Sequence, residues 1–322
     1  MNYQHAYHAG NFADVAKHVA LVHCLDALKR KDAAFFVLDT HAGRGLYDLD
    51  SAEAKKSGEA ERGVLKLIET GGGEQSLAAY FDAVRARRGR RLTRYPGSPA
   101  LIGASLRAQD RALLVELVPA EARAAERVVT SAGRIRFEAA DGYATLRAVL
   151  PPPERRGLVL IDPPYESPEE LTLLVEAFAD AYRRWSSGLY LIWYPIRSGT
   201  QRRSVRARFE ALRIPKMLVA DLTIHPDDAG IGLAGSGLIV VNPPFGLDEQ
   251  LRSAYAAIHA ALASSSSPDS CAFALIVIRS ASSLTAGASP SATSRERPSA
   301  YSRSPASSRS SALPPSITRG SS

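Results

Sequence analysis

The chain has 322 residues, 45% of them hydrophobic and 23% charged, with a formal net charge of +7. That apolar content supports one large α/β domain or two smaller ones. Two cysteines, Cys24 and Cys271, exclude a disulfide framework and a paired-cysteine metal site and suit a reducing compartment, while no apolar signal core opens the chain and no run of about 18 apolar residues marks a membrane span.

Residues 1–18 are rich in chemically capable groups: Tyr3, His5, His8, Asn11, Asp14, Lys17 and His18. The two histidines follow no metal-ligand spacing, so the stretch reads as a polar cap leading into a helix, and no metal is expected. From Phe12 the apolar pattern Val15, Val19, Leu21, Val22, Leu25, Leu28 predicts that helix, ending near Lys29-Arg30-Lys31. Ala34–Leu38 reads as the first strand. Asp39-Thr-His-Ala-Gly-Arg-Gly45 follows at once, a strand running into an acid and two glycines, as in nucleotide-binding turns. It lacks the full dinucleotide fingerprint and the P-loop lysine, and suits a ligand without pyrophosphate, such as S-adenosylmethionine; a plain tight turn is the other reading.

Residues 46–98 interrupt the strand–helix alternation. Helical patterns cover Ala60–Thr70 and Gln75–Arg88, separated by Gly71-Gly-Gly73. Arg85, Arg87, Arg88, Arg90, Arg91 and Arg94 put six arginines into ten residues. A solvated face is the ordinary meaning of such a run; beside the loop Tyr95-Pro-Gly-Ser98 it reads as an RNA-facing patch, with Arg85, Arg88 and Arg91 as contacts.

Ala112–Val115 is the second strand and ends in Glu116, the position at which an acid holds ribose hydroxyls in Rossmann-type folds. After a helix over Pro119–Ser131, Ile135–Phe137 is the third strand, leading to Asp141-Gly142, where an acid can accept from an adenine amino group. Both acids could instead be strand-end caps. Leu158–Ile161 is the fourth strand. Asp162-Pro-Pro-Tyr165 ends it in a stiff turn, because two prolines cannot continue a ladder. Asp162 and the Pro163 carbonyl can accept from the amino group of a flat ring, and Tyr165 can stack on that ring. A helix over Pro168–Ser186, a strand at Leu189–Tyr194, a helix at Val205–Leu212, strands at Lys216–Ile224 and Ser236–Val241, and a closing helix at Leu247–Leu262 complete the pattern. Asn242-Pro-Pro-Phe245 is a second motif of the same kind; ending the last strand, away from the glycine turn, it reads as structural.

The tail, 264–322, holds 21 serines and six prolines in 59 residues and is expected to be disordered apart from Cys271–Ile278. It carries six arginines against two acids, so the body before it holds only +3.

Together these motifs resemble the RlmJ family, bacterial methyltransferases that modify adenine N6 in 23S ribosomal RNA, at adenine 2030. The likeness covers about residues 1–263. It rests on Tyr3–Asn11, Ala13–His18, Leu38–Gly45, Tyr95–Pro99, Glu116–Pro119, Asp141–Tyr143, Ile161–Glu166 and Val241–Pro244, the opening stretch being the most specific. The chain departs from the family at Val118, where histidine is expected, and after Ala263, where the family closes with one more short strand; Cys271–Ile278 is the segment that could replace it.

The resemblance implies an α/β, Rossmann-like methyltransferase domain (1–45 and 99–263) dependent on S-adenosylmethionine, with a helical subdomain inserted at 46–98. It implies cofactor contacts at His18, His41, Ser98, Glu116, Asp141 and Gly142, with Lys17 near the cofactor, Gly43 in its glycine turn, Asp162 as the acceptor and Tyr3 close to the RNA base. The expected protein is a cytoplasmic monomer acting on unpaired 23S ribosomal RNA before full subunit assembly, with no membrane partner. DNA adenine, a protein glutamine amide and non-catalytic RNA binding are the rival readings.

Overall fold

The computed structural model describes residues 4–70, 75–85, 92–226 and 232–263, and the backbone of 273–279. Tyr3, Arg88, Arg91 and the tail beyond 279 lie outside them. Asn11 starts the first helix, α1 (Phe12–Lys29), by accepting from the Asp14 amide. This helix is almost wholly buried, so it runs through the protein rather than along its surface.

Eight strands form the main sheet: β1 (Phe36–Asp39), β4 (Arg111–Glu116), β5 (Arg134–Ala139), β6 (Gly157–Ile161), β7 (Leu189–Ile196), β8 (Lys216–Thr223), β9 (Gly235–Val241) and β10 (Phe273–Arg279). Their order is β5-β4-β1-β6-β7-β9-β8-β10. The first five run parallel, β9 is antiparallel to both β7 and β8, and β10 is antiparallel to β8. Strands β2 (Leu46–Asp48) and β3 (Arg94–Pro96) make a separate ribbon. The apolar runs of the central strands are continuous because both sheet faces are covered. Val37, Leu158, Leu160 and Leu191 face the side of α1, α5 (Ser98–Ser105) and α10 (Leu247–Leu262). Alternate residues Phe36, Leu38, Val159 and Ile161 face α7 (Gly142–Val149), α8 (Glu170–Arg184) and α9 (Gly199–Glu210). The helix α6 (Pro119–Val128) links β4 to β5.

The segment after β2 carries α2 (Ala52–Ser57), α3 (Lys66–Thr70) and α4 (Gln75–Arg85). The single helix expected over Ala60–Thr70 is broken. Glu61–Leu65 forms a wide turn in which Gly63 leaves helical geometry (φ −105°, ψ −110°). The cause is docking: the Val64 amide donates to the Gly10 carbonyl at 2.8 Å, so this backbone is committed to another segment. Leu67, Leu77, Tyr80, Phe81 and Val84 join the same core as α1 and α10.

The segment read as a substitute closing strand does pair with the sheet. As β10 it runs from Phe273 opposite Leu222 to Arg279 opposite Lys216.

Candidate active site

Strand order reverses between β1 and β6, since β4 and β5 lie to one side and β7 to the other. Such a switch point leaves a crevice at the carboxyl ends of the strands. Here β1 delivers Asp39 to Gly43, β4 delivers Glu116, β5 leads to Asp141, β6 ends at Asp162, and the start of α1 crosses with Asp14, Lys17 and His18. Most of these groups line one cavity of about 1770 Å³.

Gly43 sits in the left-handed region (φ +65°), and a Cβ there would lie 2.5 Å from the Tyr47 hydroxyl. Its amide donates to Glu116 Oε2 at 2.9 Å, and the Val118 amide donates to Oε1 at 2.9 Å. Glu116 is therefore a strand-end cap as well as a cavity wall. Asp141 is likewise both, capping α7 by accepting from the Ala144 amide at 2.9 Å. Gly142 lies so close to the end of β1 that a Cβ would come within 2.2 Å of the Thr40 carbonyl. Arg44, the cation within the glycine turn, is held by Glu121 through two bonds of 2.8 and 2.7 Å. Its charge is already matched, so the turn is not built for a pyrophosphate.

The Thr40 hydroxyl donates to the Leu160 carbonyl at 3.1 Å and lies 2.8 Å from His41 Nδ1. With that proton committed, His41 donates from Nδ1 and keeps Nε2 as an acceptor. Burial pushes the His41 pKa down to about 4, so the ring is neutral. His18 is also neutral, pushed down to about 3 by burial, with the Lys17 charge adding; its Nδ1 lies 2.8 Å from the Tyr95 hydroxyl.

The Lys17 ammonium binds Asp162 Oδ2 at 2.5 Å and Asp14 Oδ1 at 2.9 Å. Burial works against its charge, but the two carboxylates outweigh burial and raise its pKa. Asp14 is equally buried, yet His5 and Lys17 hold its carboxyl well below the usual range. Asp14 Oδ2 also takes the Gly10 amide at 3.0 Å and His5 Nε2 at 2.9 Å. His5 thus orients an acid, and His8 binds Glu59 at 3.0 Å. Tyr165 takes a left-handed backbone (φ +52°), and its hydroxyl donates to the Trp193 carbonyl at 2.8 Å. The two rings meet edge to face at 5.7 Å. Such a backbone in a non-glycine residue costs about 1–3 kcal/mol and persists only where its surroundings hold it, here through the Trp193 carbonyl. Asp39 is fully buried, and its Oδ2 has no hydrogen-bond partner among the described residues. Burial pushes its carboxyl up to about 7, against a Ser98 hydrogen bond and with the Asp162 charge adding.

Lys17, His18, His41, Gly43, Ser98, Glu116, Asp141, Gly142, Asp162, Pro163 and Tyr165 all line the cavity. Arg85 does not: it is half-buried, with its guanidinium 5.1 Å over the Phe81 ring and its Nε shielded from solvent. Asn242 also lies apart. It has φ +55° and donates to the Ser186 and Gly188 carbonyls at 2.8 Å, a structural turn as its position suggested. Sequence reading missed Trp193 and the partner role of Asp14. Trp193 lines the cavity, donates to Ser236 Oγ at 3.0 Å and lies 6.0 Å from Lys17 Nζ. The one available signal was an aromatic pair late in a buried strand.

The family model described as "RsmJ: Ribosomal RNA large subunit methyltransferase D, RlmJ" matches residues 32–272. A curated protein of Haemophilus influenzae, "Ribosomal RNA large subunit methyltransferase J", is 39% identical over 254 residues, 78% of this chain and 90% of its own length. The Escherichia coli protein of the same name is 38% identical over 263 residues, covering 81% and 94%. A crystal structure of a Legionella pneumophila protein superposes with a TM-score of 0.77 at 31% identity, covering 85% of this chain and 99% of that one.

Proposed function

The chain belongs to the RsmJ/RlmJ family of large-subunit ribosomal RNA methyltransferases, and from that membership we propose that it methylates the exocyclic N6 of an adenine in 23S ribosomal RNA, with S-adenosylmethionine as donor. The residues present fit that cofactor. Glu116 offers carboxylate oxygens to a ribose diol, Asp141 to an adenine amino group, and the matched Arg44–Glu121 pair leaves no site for phosphates. When bound, the cofactor supplies an electrophilic methyl group on a sulfonium centre. His18, His41, Ser98 and Lys17 complete the surrounding wall.

The chemistry required of the protein is activation of a weak nucleophile. An exocyclic amine conjugated with its ring holds its lone pair poorly available. Lys17 grips Asp162 Oδ2, which leaves Oδ1 as the oxygen to face the incoming amino group. Asp162 Oδ1 and the Pro163 carbonyl accept from the two N–H groups, draw the nitrogen toward tetrahedral geometry and free the lone pair. Tyr165, fixed through Trp193, stacks on the base, a contact worth about 1–3 kcal/mol. A base that is already unpaired enters at least cost. Alignment and exclusion of water then carry much of the rate.

The observation that carries this reading is the Asp162-Pro-Pro-Tyr165 loop held by Lys17 beside the glycine turn. Asp162→Ala is expected to abolish methyl transfer while calorimetric cofactor binding survives; unchanged turnover would overturn the assignment. A labelled-methyl assay on protein-free 23S RNA, assembled subunits, DNA and release-factor protein decides among acceptors, with labelling of free RNA expected. Tyr3 is proposed near the target base, and residues 46–98 as the inserted subdomain facing RNA. Among the described residues no helix is long and apolar enough to cross a membrane. A monomer working in the cytoplasm on unassembled RNA completes the proposal.

A further inference from the structure

Small-molecule sites occupy about 300–1,000 Å³. This cavity, at about 1770 Å³, is larger, and its lining extends beyond the acceptor loop to Arg62 and Lys66 of the inserted segment, Arg197 after β7 and His225 after β8. Its cations fall into two groups. Those inside are matched: Lys17 by Asp14 and Asp162, Arg44 by Glu121. Those at the mouth are not. Arg62, Lys66 and Arg197 are exposed, and none has an ion-pair partner among the described residues. Among the described residues the Arg62 side chain donates to the Ser57 carbonyl, at 2.8 Å. The nearby acid Glu59 is hydrogen-bonded to His8 and Asn11, and the Arg62 charge acts on it only from beyond ion-pair distance.

All three unmatched cations line the cavity that also holds the Asp162-Pro-Pro-Tyr165 loop. Arg197 is near enough to Tyr165 for its charge to favour the phenolate, and Arg62 near enough to His225 to oppose its protonation. They come from elements far apart in the chain, so their convergence on one opening is a product of the fold. A nucleotide swung out of its strand places its base inside such a cavity and leaves its two flanking phosphates at the rim. A free base or an amide side chain brings no such charges.

We propose that Arg62, Lys66 and Arg197 form a clamp for the RNA backbone, Arg62 and Lys66 holding the phosphate on one side of the extruded adenine and Arg197 the phosphate on the other. This rests on the ribosomal RNA reading above and deepens it by naming the residues that hold the strand. The clamp positions the strand without reading its sequence, as phosphate contacts do. It also moves the electrostatic footprint from the Arg85 region, where the described guanidinium packs on Phe81, to the cavity mouth.

The test is the salt dependence of RNA affinity. Each single-stranded phosphate contact contributes about 0.7 to the slope of log affinity against log salt. The Arg62→Gln, Lys66→Gln, Arg197→Gln triple variant is expected to lose about 1.4 from that slope, the share of two phosphates. Its KM for RNA should rise while kcat at saturating RNA holds, the signature of lost uniform binding. Arg197→Gln alone should lose about 0.7, and Arg197→Lys should restore it. Arg183→Gln, on α8 and paired with Asp180, should change nothing. Calorimetric S-adenosylmethionine affinity serves as the folding check, and if the triple variant fails it, the slope and KM of Arg197→Gln decide. A wild-type slope and KM in the folded variant would overturn the clamp. Failure of the wild-type protein to methylate any RNA would instead overturn the functional reading beneath it.

Discussion

Lys17 joins two carboxylates in a site where none of the three groups reaches bulk water freely. Asp14, Lys17 and Asp162 show side-chain exposures of 3%, 6% and 15%. Removing the middle member leaves like charges facing each other in poor solvent. Lys17→Met is expected to cost about 3–5 kcal/mol in denaturant unfolding, with activity lost as Asp162 is released. Adding Asp14→Asn should return part of the stability but not the activity. Asp39 gives a second residue-scale expectation. Its carboxyl rises from an ordinary 3.8 to about 7 in the folded chain. Between those values the folded protein keeps a proton that the unfolded chain has released, so this group lowers stability as pH rises through the window and costs a constant amount above it. Asp39→Asn should therefore gain on the wild type from about pH 4 upward and level off near pH 7, at about 2–4 kcal/mol. Thermal melts across pH measure it; a gain independent of pH would remove the buried acid from the account. His18 and His41, both depressed, act in the opposite sense, adding stability as pH rises toward 6.5.

At the scale of elements, the segment after β2 is tied to the start of α1 by backbone contact and by side chains. Gly63 makes the contact possible: a Cβ there would sit 2.3 Å from the Gly10 carbonyl and 2.8 Å from the Asn11 Cα. Neither neighbour is a flexible side-chain end. Glu59 adds bonds to His8 and Asn11 from the same segment. Gly63→Ala should push the segment off α1 at an overpacking cost of about 1–3 kcal/mol. Because α1 also carries Lys17, methyl transfer should fall with stability, and a variant that melts earlier at full activity would show that the docking does not support the site.

For the whole molecule, the strand order with its switch point gathers groups more than 140 residues apart in sequence, such as Lys17 and Asp162. The sheet's far edge depends on β10, which covers β8 along seven residue pairs. Removing residues 280–322 should leave cofactor binding and melting temperature unchanged. Removing 264–322 takes β10 as well, leaves the β8 edge unpaired, and should raise light scattering on heating. Equal behaviour of the two truncations would show β10 to be dispensable.

The strands of this sheet, its glycine turn and the Asp162-Pro-Pro-Tyr165 loop were legible from residues alone, since each is a local pattern: an apolar run, then an acid, glycine or proline that ends it. Strand position could be argued from the alternation, and the structure puts Asp162 at the cavity and Asn242 away from it. The same local logic misread Glu61–Leu65, because its helical spacing says nothing of the Gly10 carbonyl that claims the Val64 amide. Charge density likewise says nothing of the packing that lays the Arg85 guanidinium over Phe81. Which cations are matched and which are left open at the cavity mouth was decided only by tertiary structure, because ion pairing depends on distances between segments that the chain order does not contain.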